Sequence, residues 1–248
     1  MSNNLKILGV IPARYDSKRL PGKVLRDIAG KPMLYWVYRN AGKSGLLSDL
    51  LVATDSDLVL EFCEREGIPV ILTGRHPSGT DRLREVMERV DADIYINIQG
   101  DEPTLRPEHI EAIVSPFLKG DAHVQTATLK VAVDESAAQD PNNVKVVTDD
   151  FGRALYFSRY PIPFDRDGAG MVRRFKHIGI YAYTRAALAL FHSLPESSLE
   201  SAEKLEQLRF LQNGVAMYVV ETPYDTVGVD TEADLQRVNL LLSGAELG

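Results

Sequence analysis

Four cations stand within ten residues in Arg14-Tyr15-Asp16-Ser17-Lys18-Arg19-Leu20-Pro21-Gly22-Lys23, inside a chain that is otherwise acidic. The loop follows a short apolar run, Lys6 to Ile11, ended by Pro12. Open α/β sheets bind ligands at the carboxyl ends of their strands, so a cationic loop there suits a polyanion such as a triphosphate. Arg14 and Lys23 are the donors best placed for phosphate oxygens, and Gly22 admits close backbone approach. A solvated basic loop is the alternative. Neither GxxxxGK[ST] nor GxGxxG occurs, so kinase-type P-loop and dinucleotide sites find no support.

A second constellation is acidic. Gln99-Gly100-Asp101-Glu102-Pro103 follows the apolar run Asp93 to Ile98, and Asp230 follows Val227 to Val229. Two carboxylates at strand ends, together with substrate phosphates, form a common Mg²⁺ arrangement that offsets charge during an in-line displacement. Asp230 has a structural alternative, because an Asp beside Thr231 also suits the cap of a last helix. In Ser78-Gly79-Thr80-Asp81-Arg82, hydroxyls, backbone N–H groups and Arg82 can read a base edge, or Ser78 or Thr80 can simply cap a helix. Asp55-Ser56-Asp57 is a D-x-D after a strand, the mark of a metal-dependent glycosyltransferase, but Ser56 is better explained as an N-cap. Arg159, His177, Tyr181, Glu206 and Gln207 lie in the second half, and each taken alone fits a structural role. No Ser-His-Asp arrangement or HExxH helix is recognisable, and Cys63 on an amphipathic helix reads as inert packing.

The elements that position these residues begin with strands at Lys6–Ile11, Leu50–Ala53, Val70–Leu72 and Ile94–Ile98. Helical patterns alternate with them: one starts at Pro32, one at Ser56 with Gly67 at its end, and one runs through Leu83, Val86, Met87 and Val90. The alternation predicts an α/β fold with a mostly parallel sheet. The second half is β-rich, with strands at 123–133 and 143–148 and a turn at Asp149-Asp150-Phe151-Gly152 that returns Arg153–Ser158 as a hairpin. A helix over Leu199–Leu211, a strand over Ala216–Glu221, a short strand at Val227–Val229 and a Thr231/Asp234 capping box complete the pattern. One doubly wound domain over residues 1–248, with an insertion at about 134–175, accounts for it.

The 248 residues carry 28 Lys and Arg against 35 Asp and Glu, a formal charge of −7, with 44% hydrophobic residues and one Cys. Net acidity argues against nucleic acid as the partner, and a single Cys argues against disulfides and thiolate zinc sites. No apolar run approaches the roughly 18 residues of a membrane span, and Met1–Lys6 lacks a signal-peptide pattern. A cytoplasmic protein without a membrane partner is expected.

Taken in order, Ile11-Pro-Ala-Arg14-Tyr, Arg19-Leu-Pro-Gly-Lys23, Ala53-Thr54-Asp55, Ser78-Gly79-Thr80, Gln99-Gly-Asp101-Glu-Pro103, Tyr156-Phe-Ser-Arg159, His177-Ile-Gly-Ile-Tyr181, Leu205-Glu206-Gln207-Leu208-Arg209 and Gly228-Val-Asp230-Thr resemble the 3-deoxy-manno-octulosonate cytidylyltransferase (CMP-Kdo synthetase) family of lipopolysaccharide assembly. IPAR followed by PGK occurs in other sugar nucleotidyltransferases; the ordered set is specific. The resemblance implies a single Rossmann-like nucleotidyltransferase domain, with an inserted β-rich dimerisation segment. It implies a homodimer that uses Mg²⁺ to couple CTP to the acid sugar Kdo and release diphosphate.

Carried over, Arg14 and Lys23 hold the triphosphate. Ala53, Thr54 and Asp55 line the nucleoside pocket with Ser78, Gly79, Thr80 and Arg82. Asp101 and Asp230 hold Mg²⁺, and Gln99, Arg159, His177, Tyr181, Glu206 and Gln207 face the sugar. The implied reaction is attack by the sugar's anomeric 2-hydroxyl on the α-phosphorus of CTP, without a dedicated general base. Leu199–Glu203 lacks a His that a few members carry, which reads as variation within the family. A close analogue such as 8-amino-Kdo is the alternative substrate; a glycosyltransferase or a non-catalytic nucleotide-binding module are remoter readings.

Overall fold

The apolar run after Lys6 becomes β1 (Ile7–Pro12), buried along five of its six residues, as a strand covered on both faces must be. The computed structural model describes residues 5–17, 19–168, 170 and 172–245; Lys18, one of the four loop cations, lies outside them. The chain forms two compact units, Met1–Glu111 with Thr226–Gly248, and Ala112–Asp225.

In the first unit β1 is followed by a two-residue hairpin, β2 (Asp27–Ile28) and β3 (Lys31–Pro32), then α1 (Met33–Ala41), β4 (Asp49–Thr54), α2 (Asp57–Arg65), β5 (Val70–Leu72), α3 (Gly79–Arg89) and β6 (Ile94–Asn97). Its sheet is all parallel: β1 pairs with β6 on one side and β4 on the other, and β5 lies beyond β4. Helix α4 (Pro107–Leu118) contains the boundary between the units. The second unit holds β7 (Thr126–Val133), α5 (Glu135–Gln139), β8 (Lys145–Thr148), β9 (Ala154–Ser158), β10 (Arg174–Thr184), α6 (Arg185–Ser193), α7 (Ser198–Glu203), α8 (Leu208–Gln212) and β11 (Tyr218–Glu221). Here β7 pairs antiparallel with β10 and parallel with β11, while β8 pairs antiparallel with β9 and β10. The last helix, α9 (Glu232–Ala245), returns to the first unit, where Leu235 and Val238 pack with Ile28, Met33 and Trp36. The class is α/β, as expected, parallel in the first unit and mixed in the second.

Local chemistry explains most boundaries. Ser78 caps α3 by accepting the Asp81 N–H at 3.1 Å. Thr231 and Asp234 cap α9 reciprocally, at 3.2 and 2.9 Å. Asp149 accepts the N–H groups of Phe151 and Arg153 at 3.0 and 2.8 Å, closing the hairpin turn at Gly152, whose φ of 78° suits glycine. Ser56 holds the cap position of α2 without a side-chain cap bond, and Pro32 precedes α1 rather than opening its first turn.

Two expectations are corrected. The helix over Leu199–Leu211 is two short helices, because Lys204 adopts the left-handed conformation (φ 55°) and ends α7 before α8 begins. Val227–Val229 forms no strand. Its amides go to the Thr104 hydroxyl (2.7 Å) and the Asp101 carbonyl (2.9 Å), which satisfies them outside any sheet ladder. The pattern also passed over β2, β3, α4, α5 and α6.

Candidate active site

After β1 the chain turns at Gly22, whose φ is 65° and whose missing Cβ would lie 3.2 Å from the Tyr15 hydroxyl. A single 3₁₀ turn, Lys23–Leu25, follows, closed by Leu25 N–H on the Gly22 carbonyl at 2.9 Å. Lys23 opens that turn. Its ammonium lies 2.6 Å from Asp101 Oδ2 and 2.8 Å from Asp230 Oδ1, and Arg19 reaches the same Asp230 oxygen at 2.9 Å. The Lys23 side chain is only 11% exposed. Burial opposes its charge, but the two carboxylates outweigh burial and raise its pKa.

Each carboxylate is placed by its own backbone. Gly100 brings the chain so near β1 that a Cβ there would stand 2.9 Å from the Pro12 carbonyl oxygen. Val229 N–H then bonds the Asp101 carbonyl at 2.9 Å, and Asp230 N–H bonds Asp234 Oδ2 at 3.1 Å. The cap bonds of α9 use Thr231 and Asp234, while the Asp230 carboxylate pairs with Lys23 and Arg19.

Arg14, Lys23, Gly79, Gln99, Gly100 and Asp101 line one cavity of about 200 Å³. Arg14 is steadied by one nitrogen, Nη1, on the Pro77 carbonyl at 3.0 Å. A roomier cleft of about 450 Å³ opens beside the same loop, with Leu25, Leu58 and Phe62 among its walls, and lacks the paired carboxylates. Among the described residues no group of three or more His, Cys, Asp or Glu is arranged to hold a metal. Asp101 and Asp230 nevertheless converge on the Lys23 ammonium, and two hard oxygen donors completed by phosphates would suit Mg²⁺. The residues present fit that ion.

The second wall of this unit is built on β4 and α3. Arg82 is fully buried and spends its guanidinium on the protein, with Asp55 at 3.2 Å, the Gly74 carbonyl at 3.3 Å and the Thr73 hydroxyl. Burial lowers its pKa against the opposing pull of Asp55. Its Nε has no acceptor among the described residues. Asp55 is therefore taken up by Arg82, which weakens the D-x-D reading. Ala53 and Thr54 are buried at the end of β4, where the Thr54 carbonyl accepts the Thr73 N–H and Oγ1 at 2.7 and 3.1 Å. Thr80 is buried in the first turn of α3. Asn97 was missed by the sequence reading: it is 2% exposed, its Oδ1 has no partner among the described residues, and it lies beside Gly79. Its signal was the single amide in the apolar run Ile94–Ile98.

The second unit gathers the other polar residues. The His177 imidazole meets the Thr128 hydroxyl at 2.8 Å and the rings of Phe157 and Tyr181, with centroids 4.9 and 5.4 Å away. Burial, with the Lys176 charge, lowers its pKa to about 3, so it is neutral at pH 7. The Thr128 hydroxyl donates to the Ile180 carbonyl at 2.8 Å, which assigns Nε2 as the protonated nitrogen of His177, donating to Thr128. Tyr181 donates its hydroxyl to Gln207 Oε1 at 3.2 Å, and burial followed by the nearby Glu206 raises its pKa. Gln207 is 4% exposed and its Nε2 has no partner among the described residues, a buried donor open to an acceptor. Arg159 is gripped by Glu203 and Pro141: Nε donates to the Glu203 carbonyl at 2.9 Å and Nη1 to the Pro141 carbonyl at 3.1 Å. Nη2 finds no acceptor among the described residues. Cys63 is buried and its thiol pKa is pushed up by burial to about 12, as an inert packing residue requires.

Residues 8–220 match the cytidylyltransferase family model. The 3-deoxy-manno-octulosonate cytidylyltransferase of Acidobacterium capsulatum is 55% identical over 97% of this chain and 98% of its own length. That of Koribacter versatilis is 52% identical over 97% and 92%. A solved CMP:2-keto-3-deoxy-manno-octonic acid synthetase complexed with CTP superposes with a TM-score of 0.92, at 46% identity over 97% of this chain and 99% of that one. A solved glucose-1-phosphate thymidylyltransferase from Bacillus anthracis, at 19% identity and a TM-score of 0.65, shares the fold. A cationic loop facing paired carboxylates, on an α/β nucleotidyltransferase fold and with near full-length identity of this order, places the chain in the 3-deoxy-manno-octulosonate cytidylyltransferase family.

Proposed function

We propose that the chain joins CTP to 3-deoxy-manno-octulosonate, giving CMP-Kdo for lipopolysaccharide synthesis and releasing diphosphate, with Mg²⁺ as cofactor. The observation that carries the reading is the Lys23 ammonium between Asp101 and Asp230, a charge arrangement suited to moving phosphoryl groups. The bond formed joins the sugar's anomeric 2-oxygen to the α-phosphorus, the bond broken releases diphosphate, and the hydroxyl proton passes to solvent.

Arg14 and Lys23 bind the triphosphate and stabilise charge that grows on the departing diphosphate. Ala53, Thr54, Asp55, Ser78, Gly79, Thr80 and Arg82 take the nucleoside, and the unpartnered Arg82 Nε and Asn97 Oδ1 offer it a donor and an acceptor. Gln99, His177, Tyr181, Glu206 and Gln207 orient the sugar through its hydroxyls. Arg159 holds its carboxylate, because Nη2 is left to a ligand by the contacts that fix Nε and Nη1. Asp101 and Asp230 hold Mg²⁺, which when bound supplies Lewis acidity and offsets phosphate charge.

The single-domain reading, with an insertion at about 134–175, belongs to this proposal. Phe151, Leu155, Tyr160 and Phe164 are all exposed within that insertion, which supports a homodimer formed there. A cytoplasmic location is consistent with the absence of a membrane-crossing helix among the described residues.

The test is diphosphate release from each of the four nucleoside triphosphates with Mg²⁺ and a panel of Kdo, 8-amino-Kdo, other acid sugars and neutral sugar 1-phosphates. Turnover with CTP and Kdo above every other pair is expected. Equal rates with neutral sugar 1-phosphates, or CTP binding without turnover, would overturn it.

A further inference from the structure

We propose that Lys145 is the positioning residue for Arg159, a buried ammonium that aims the guanidinium without touching any ligand. Lys145 opens β8 and is fully buried. A buried ammonium ordinarily faces a carboxylate. None lies within ion-pair reach of this one among the described residues. Its three N–H donors go instead to main-chain carbonyls, Asp140 at 2.9 Å, Asn143 at 2.5 Å and Arg159 at 2.6 Å, which exhausts an ammonium.

Those three acceptors have one thing in common. The turn from Asp140 to Asn143 contains Pro141, whose carbonyl accepts Arg159 Nη1 at 3.1 Å, and the third acceptor is Arg159 itself. One cation therefore ties the Arg159 backbone to the turn that steadies its side chain. Glu203 closes the arrangement from α7, taking the Arg159 N–H at 2.9 Å and the Ser158 hydroxyl at 2.6 Å on its carboxylate, and Arg159 Nε at 2.9 Å on its carbonyl. The charged groups around Lys145 are Asp140, Arg159 and Glu203; burial, the largest influence, lowers its pKa. An apolar side chain of the same length would avoid that desolvation but leave three inward carbonyls without a donor. Freed of the ammonium, the turn and Arg159 lose their common anchor, and the fork that takes a carboxylate loses its aim.

The proposal rests on Arg159 as the carboxylate holder. The experiment measures KM for Kdo and for CTP, by diphosphate release, on full-length Lys145→Met, Lys145→Gln, Arg159→Ala and the Lys145→Met/Arg159→Ala double variant, each checked for folding by circular dichroism. Lys145→Met is expected to raise the Kdo KM about tenfold with the CTP KM within about twofold, as loss of a charge-assisted contact does. Lys145→Gln, which keeps two N–H donors, should rise less. In the double variant the Kdo KM should match that of Arg159→Ala, because a residue that acts through Arg159 has nothing further to lose. Additive effects, an unchanged Kdo KM in folded Lys145 variants, equal losses for both substrates, or failure of both Lys145 variants to fold would assign Lys145 to stability alone and overturn the proposal. A normal Kdo KM in Arg159→Ala itself would instead remove Arg159 from the acid-sugar site, and Lys145's role with it.

Discussion

Lys23 Nζ lies 2.6 Å from Asp101 Oδ2, so the cation of the first loop and the carboxylate at the end of β6 act as one electrostatic unit. Changing either member alters the charge the other feels. Asp101→Asn should keep the fold, since Lys23 retains Asp230 at 2.8 Å. Turnover should fall about 100-fold or more, in line with removal of a group that acts where charge develops. Diphosphate release at saturating CTP and Kdo, across a Mg²⁺ titration, reads this; near-normal kcat at ordinary Mg²⁺ would take Asp101 out of the site.

Arg14→Ala and Lys23→Ala should each cost catalysis more than stability. Among the described residues Arg14 makes one hydrogen bond, to the Pro77 carbonyl, and its loss should shift a urea midpoint little. Lys23→Ala leaves two carboxylates without their shared partner and should cost stability as well, though kcat/KM should drop by a larger factor. The comparison is urea unfolding against steady-state kinetics for both variants. Activity loss that merely tracked the unfolded fraction would return the loop to a structural role.

Arg159→Lys replaces a planar fork by a point charge. The Kdo KM should rise about tenfold or more with the CTP KM little changed, and Arg159→Ala should exceed that. His177→Gln and Gln207→Ala, which face neutral hydroxyls in this reading, should give smaller sugar-selective losses. Saturation curves for both substrates decide it. A parallel rise in both KM values would place Arg159 outside the sugar pocket.

His177 makes stability depend on acid. Its folded pKa is lowered to about 3 by burial and by Lys176, while an unfolded chain binds that proton near pH 6.5. Between these values the unfolded state holds more protons, so stability rises with pH, and on acidification it falls by about 1.4 kcal/mol per pH unit through this one group. Urea midpoints measured from pH 7 to pH 4 should show this slope, and His177→Gln should flatten it by about one proton. An unchanged slope in that variant would mean another group governs the acid limb.

The strands β1, β4 and β6 were legible because buried parallel strands are short apolar runs, and β5, though only half-buried, is likewise an apolar run; the caps at Ser78 and Thr231 were legible because their chemistry is local. What escaped depends on partners far along the chain. Lys204 has a side chain that favours helix, and nothing beside it announces a left-handed break. Val227–Val229 has the composition of a strand, yet its amides are claimed by Thr104 and Asp101, more than a hundred residues earlier. Asp230 reads as a cap as readily as a cation ligand, and only the fold shows Asp234 taking its backbone N–H. Lys145 reads as one more charge in a β-rich stretch, because carbonyl acceptors leave no mark in a sequence.

Gly100 sets a mechanical limit. Because the Pro12 carbonyl occupies the space of a side chain at position 100, with Ile11 and Val24 packed at 3.6 and 3.7 Å from it, the ends of β1 and β6 meet as backbone against backbone. A substitution that pushes the root of the cationic loop away from Gly100 should therefore be felt at Asp101, the very next residue. Even Gly100→Ala inserts a wedge there, and its damage should appear first as a loss of registry between loop and carboxylate, before any loss of the fold.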